Sequence, residues 1–318
     1  MAQSIRRTRS ARKSTRPIKI AQGNVKCRSN VAAVGLIIGR MSSVRRFLVA
    51  IYLYVIPVAW GEQKNINLDG VAVTYDTERY SRVEIVESKK ESLPRPADPL
   101  NIHPANLLFL FYDRFGYVGS ITIYPLDDRT VDFEAAYPEI AQRTSALMRV
   151  LRDRPVLPQR YSDGAPKEIP TIQNPMATQY FLSRTRYLDF PWGSGVGFLV
   201  QYSQDASNYA VGARLRYEID AIDASNKLAV CAYFNVAHPD LPPTEENGLI
   251  TDNRGASPGE VEYSAYLRKM EKFLGRKSEK TFRPPLDSIQ KIVGSLRFEN
   301  ADQVDWGSRF SGKTTIVE

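Results

Sequence analysis

Apolar residues recur along this chain with two different periods, and the change between them marks the elements. Residues 71–76 and 82–88 are short, β-branched runs of strand type. Residues 106–112 form a continuous apolar run, which predicts a strand buried on both faces. A turn at Arg114, Phe115 and Gly116 leads into a further strand over 119–124. The period then lengthens. Phe133, Ala136, Tyr137, Ile140, Ala141, Leu147, Met148 and Leu151 fall three and four apart, the signature of a helix with one apolar face. Pro138 suits its first turn, and Arg152 and Arg154 suit its C-terminal end.

Residues 155–174 are Pro-rich and aperiodic, longer than most connections in a folded domain. Strand patterns follow over 176–190, 196–202, 213–222 and 227–236. In the third of these, Leu215, Tyr217, Ile219 and Ala221 face one way and Arg214, Arg216, Glu218 and Asp220 the other, which predicts one wet face. Residues 227–236 are apolar on both faces and should be central. Residues 223–226 read as the hairpin turn between the two. After a polar loop over 239–258, residues 261–274 predict a helix closed by Gly275, and Pro284 and Pro285 open a last one that buries Leu286, Ile289, Ile292, Val293 and Leu296. Residues 300–318 are sparse in apolar residues and are expected to fray as a flexible C-terminal tail. Helices following groups of antiparallel strands predict an α+β fold, an α/β/α sandwich with a mainly antiparallel sheet, as one domain over 62–299.

Charge divides the chain differently. Of its 318 residues, the first 61 hold 12 Lys and Arg and no Asp or Glu. The remainder has 31 basic and 35 acidic residues, so the overall +8 becomes −4 for the body. A nucleic-acid partner for the body is therefore not expected. Arg45 and Arg46 precede 14 uncharged residues, 47–60. A spanning helix needs about 20, whereas the apolar core of a signal peptide needs about 7–15. Ala59 and Gly61 sit at the small-residue positions before a cleavage predicted between Gly61 and Glu62. Residues 41–61 thus read as a signal peptide or membrane anchor. Residues 1–40 read as a disordered basic extension or an over-extended reading frame; the other reading of them is a basic tail for nucleic acid or anionic lipid. The expected location is exported, periplasmic or extracellular, with tethering by residues 47–60 as the alternative.

Residues 187–204, YLDFPWGSGVGFLVQYSQ, together with 232–242, AYFNVAHPDLP, resemble a group of uncharacterised bacterial secreted proteins that carry a GSGVRFLTQYAQ-like stretch before a hairpin. Gly197 and Val200 stand here where that group has Arg and Thr. The element order and the 286–298 segment are similar to the PsbP/Mog1-like sandwich. That resemblance implies a non-catalytic partner of a larger assembly.

Chemistry-bearing motifs are few. Gly307 to Thr314 satisfies the phosphate-loop pattern, but only four residues follow it and no helix can develop there. Gly193, Gly195 and Gly197 precede a strand rather than a helix, so they predict a tight turn, not a dinucleotide fingerprint. His103 and His238 are the only histidines, both precede Pro, and neither has ligand spacing to a second His or Cys. No cofactor or metal is therefore expected. Cys231 reads as a small buried hydrophobe, and an extended strand would place it on the opposite face from His238. No activated nucleophile or acid–base pair is visible. The better candidate is an aromatic group for a ligand or partner, comprising Trp192, Tyr187, Tyr202 and Tyr233 with His238. Pro191 and Gly193 place Trp192 in a turn, where it is expected to be exposed. The functional expectation is an exported binding or assembly protein of the cell envelope. The alternatives are a small envelope hydrolase and a carrier of an apolar small molecule. The partner is expected to be an envelope macromolecule or a small apolar ligand, with membrane contact only through the N-terminal segment.

Overall fold

The computed structural model describes residues 62–68, 70–89, 104–126, 138–158, 168–173, 177–203, 210–212, 215–241, 259–299 and 312–318. The expected signal segment, Gly61, Cys27, His103, Arg214 and residues 242–258 of the polar loop lie outside them. Glu62 is exposed at the start of the described domain, where its carbonyl accepts bonds from the Thr77 amide and hydroxyl. No described helix is long and apolar enough to cross a membrane.

The strands are β1 (Gln63–Leu68), β2 (Val71–Asp76), β3 (Arg82–Ser88), β4 (Asn106–Asp113), β5 (Gly116–Pro125), β6 (Thr178–Phe190), β7 (Gly193–Ser203), β8 (Arg216–Asp223), β9 (Leu228–Asn235), β10 (Arg297–Phe298) and β11 (Thr314–Val317). The helices are α1 (Pro138–Asp153), α2 (Glu260–Gly275) and α3 (Leu286–Gly294). Eight strands form one sheet in the order β11-β3-β4-β5-β9-β8-β7-β6, and β1-β2-β10 form a second. Every pairing is antiparallel. The chain is thus α+β with a large antiparallel sheet.

Alternation along each strand builds two cores. One face of the large sheet buries Val83, Phe109, Ile121, Val230 and Ile219 against β1, β2, α2 and α3. The other buries Val196, Phe198, Ile222 and Cys231 against Leu147 and Leu151 of α1 and against Ile169 and Ile172. β9 lies between β5 and β8 and is buried along nearly its whole length, as its doubly apolar sequence requires.

Several expectations change. β4 is fully buried on one face only, because Leu108 and Leu110 lie on a half-covered side of the sheet. The apolar period predicts neither β1 nor β10, since it is weak in both; β2 recruits them by backbone pairing. Residues 314–317 are not a frayed tail but an edge strand on β3, held by ladder bonds that any β-branched run can make. Thr314 sits in that strand, so the phosphate-loop pattern meets the wrong backbone. Gly275 is the last residue of α2, and Arg276 in αR geometry is its cap.

The three glycines of β7 serve close strand packing. A Cβ on Gly193 would lie 2.1 Å from the Ile222 carbonyl oxygen, and one on Gly197 would lie 2.7 Å from the Tyr217 hydroxyl. Gly193→Ala is expected to lower stability by roughly 1–3 kcal/mol through overpacking. A urea titration with an unchanged midpoint would contradict this.

Candidate functional site

The face of the large sheet that carries α1 also carries a strip of polar side chains. Parity along the strands dictates it. Ser120, Thr122 and Tyr124 of β5, Cys231 and Tyr233 of β9, and Arg216, Glu218 and Asp220 of β8 all point the same way as Ile222 and Ala229 of the second core. Cys231 stands opposite both Thr122 and Asp220, and Tyr233 stands opposite both Ser120 and Glu218.

The middle of this strip is closed. Asp220 is 0% exposed and Glu218 is 8% exposed, so the expected wet face does not exist. The reason is tertiary. α1 and residues 168–173 lie over this face, and Ile169 and Ile172 join its core. The Tyr202 hydroxyl donates to Glu218 Oε2 at 2.8 Å, and the Ile172 amide donates to Asp220 Oδ1 at 3.4 Å. Asp220 Oδ2 is buried with no hydrogen-bond partner. Gln173 Nε2 donates to the Tyr124 hydroxyl at 2.9 Å and to Thr122 Oγ1 at 3.2 Å. Gln179 holds the start of the covering segment by pairing with both the amide and the carbonyl of Ile169.

Two carboxyls two residues apart on one buried strand face cannot both carry full charge cheaply. Burial pushes Asp220 up to about 6, against the opposing pull of Cys231, the Ile172 amide, Glu218 and Arg143. Burial and then the charge of Asp220 push Glu218 well above the usual carboxylate range, with Tyr202 and Arg216 pulling back. Burial and the same carboxyls push the Cys231 thiol well up, so it stays protonated. A buried neutral thiol beside carboxyls is a poor nucleophile. Among the described residues, no group of three His, Cys, Asp or Glu side chains could hold a metal ion.

The other end of the strip is open. Arg216 stacks over the half-buried Tyr233 ring at 5.2 Å. Tyr233 meets Tyr117 edge-on at 6.5 Å, and Tyr117 meets Tyr112 at 5.8 Å. Arg82 covers Tyr112 at 4.2 Å, and the Tyr112 hydroxyl donates to Glu84 at 3.0 Å. At the tip of the β4–β5 hairpin Phe115 is 82% exposed, with the Arg114 guanidinium 4.6 Å over its ring. Asp113 Oδ1 accepts the amides of Phe115 and Gly116, and Gly116 at φ +134° makes the turn, so Phe115 projects from a built loop.

The expected aromatic group is therefore dispersed. Tyr202 and Tyr233 both adjoin Glu218, but the other three residues do not. Tyr187 closes the end of α1, donating to the Pro155 carbonyl at 2.7 Å beneath Arg154. Trp192 is in a turn as expected, yet it is buried at 8% exposure, a correction to its exposed placement. It stacks on Phe190 at 5.1 Å and donates its indole N–H to the Val293 carbonyl at 2.9 Å. The turn faces α3, and an indole wedged there excludes water from the junction. His238 is buried on the opposite side of the sheet from Cys231, against Phe273 and Phe282. Its Nδ1 accepts the Asp240 amide at 3.2 Å, which leaves Nε2–H to donate to Thr281 Oγ1 at 2.9 Å. Burial holds its pKa below the ordinary value.

Sequence reasoning misses Glu218 and Asp220 as buried groups, and it misses Tyr112, Phe115 and Tyr117. The acids carry no local signal of burial, because their alternation is that of an antiparallel strand with one solvated face. Neither the models of known protein families nor curated protein sequences match this chain.

Proposed function

We propose that this chain is an exported, non-catalytic binding or assembly protein of the cell envelope, folded as a PsbP/Mog1-like α/β/α sandwich. It engages a macromolecular partner through the open row of Tyr112, Tyr117 and Tyr233 and the Phe115 tip. The observation that carries the reading is Phe115, an aromatic ring 82% exposed on a loop whose conformation is held by Asp113. Exposed rings beside arginines supply large contact area at low entropic cost, which is how binding hot spots are composed. Helices against both faces of the large sheet support the sandwich reading. The basic, acid-free segment and its 14 uncharged residues support export. A hydrolase built on Cys231 draws less support, because its thiol is buried and protonated and His238 lies across the sheet.

A photo-reactive phenylalanine analogue placed at position 115 of the full chain, expressed in its own host, tests this. A discrete adduct in the envelope fraction is expected, and Tyr117→Ala should abolish it. Val156, 99% exposed and remote in sequence from the row, is the control position. Equal labelling at 115 and 156, or no adduct at 115, would remove the basis of the proposal.

A further inference from the structure

Glu218 and Asp220 are two carboxyls buried on one strand face, where an ionised carboxylate is costly unless it is paired and hydrogen-bonded. Their geometry is also uneven. The covering segment, 168–173, is fastened at one end by the Gln179 amide to Ile169 and at the other by Gln173 to Tyr124 and Thr122. These bonds are neutral and do not respond to pH in the physiological range. The Ile172 amide rests on Asp220 through a long 3.4 Å bond. The second Asp220 oxygen is buried with no partner, two residues along the same strand face from Glu218.

We propose that the Glu218–Asp220 pair is a proton-operated latch for the 168–173 segment: the segment is seated while the carboxyls hold a proton, and it lifts when that proton is lost. The groups facing the pair come from every element packed on it. Arg216 lies on β8, Cys231 and Tyr233 on β9, Thr122 and Tyr124 on β5, Tyr202 on β7, Arg143 on α1 and Gln173 on the covering segment. The two arginines, the Ile172 amide, Cys231 and Tyr202 favour the charged carboxyls, and burial opposes them all with greater effect, so both acids titrate above their ordinary range. The seated state therefore binds protons more tightly than a lifted, hydrated one. Linkage then requires lifting to become easier as pH rises. The latch stands on the closed end of the strip and holds whether or not the open end binds a partner.

Hydrogen exchange of the Ile169 and Ile172 amides in the full chain, corrected for intrinsic rates, reads the latch directly. Asp220 moves from an ordinary 3.8 to about 6. Protection of these amides should therefore fall about a hundredfold between about pH 4 and about pH 8, while staying below that of Val230 and Ala232 in β9 at each pH. Asp220→Asn should remove most of that slope, and Glu218→Gln should reduce it. Gln173→Ala should lower protection at every pH while keeping the slope. A slope unchanged in both Asp220→Asn and Glu218→Gln overturns the proposal. So does exchange of the two amides at the same rate as Val230 and Ala232 at every pH, which would mark global unfolding rather than lifting of the segment. Should Asp220→Asn fail to fold, the Glu218→Gln slope decides alone.

Discussion

Asp220→Asn is expected to stabilise the whole fold at neutral and alkaline pH and to change little in acid. The folded state holds Asp220 at about 6, above its ordinary 3.8, so the native chain binds the proton more tightly than the unfolded chain. With respect to this group, stability is fully present below about 4. It falls as pH rises toward about 6 and stays reduced above that. A tenfold change in proton affinity is worth about 1.4 kcal/mol, so the effect reaches roughly 3 kcal/mol at most. Glu218 is raised as well and extends the fall to higher pH. The asparagine keeps the shape, its oxygen can accept the Ile172 amide, and its amide can donate toward Glu218. Urea unfolding at several pH values checks this. Wild type should lose stability from acid toward pH 8 while the variant loses less, giving a gain of about 1–3 kcal/mol at the alkaline end. A variant less stable at every pH would show that the carboxylate is a net stabilising group.

Trp192→Ala is expected to be the most damaging single change among the aromatic residues picked out in the sequence. It removes a fully packed ring that stacks on Phe190, meets Phe298 edge-on at 5.5 Å and donates to the end of α3. Truncating a buried Trp costs about 3–5 kcal/mol. Trp192→Phe separates packing from the hydrogen bond. It should cost about 1 kcal/mol, because the Val293 carbonyl still accepts the Leu296 amide at 3.2 Å. Thermal unfolding of both variants gives the comparison. A mild effect from the alanine variant would mean that the β6–β7 turn does not anchor α3.

Element identity is largely legible in the sequence. The strand patterns at 71–76 and 82–88 coincide with β2 and β3, and Pro138 and Pro285 mark where α1 and α3 begin. Backbone period and start signals are local, and here no tertiary contact overrides them. The turn at Asp223 is equally legible: its carboxylate gathers the amides of Ser225, Lys227 and Leu228, an interaction written into a handful of adjacent residues.

What covers a face is not local. Arg216, Glu218 and Asp220 read as a wet stripe because nothing near them in the chain says otherwise. Glu218 and Asp220 are buried because residues 168–173, nearly 50 positions earlier, fold over β8 and donate an amide to Asp220. Trp192 reads as exposed because Pro191 and Gly193 announce a turn, yet the turn meets the carbonyl of Val293, about 100 positions later. β11 looks too poor in apolar residues to order itself, and it is ordered by a ladder that β3 supplies. Local sequence dictates where strands and helices start, the central place of β9 and the opposite placement of Cys231 and His238. Contacts between distant segments alone seal two carboxyls beneath a loop and leave Phe115 standing in water. Local period sets which way a side chain points, and remote parts of the chain set whether water is there to meet it.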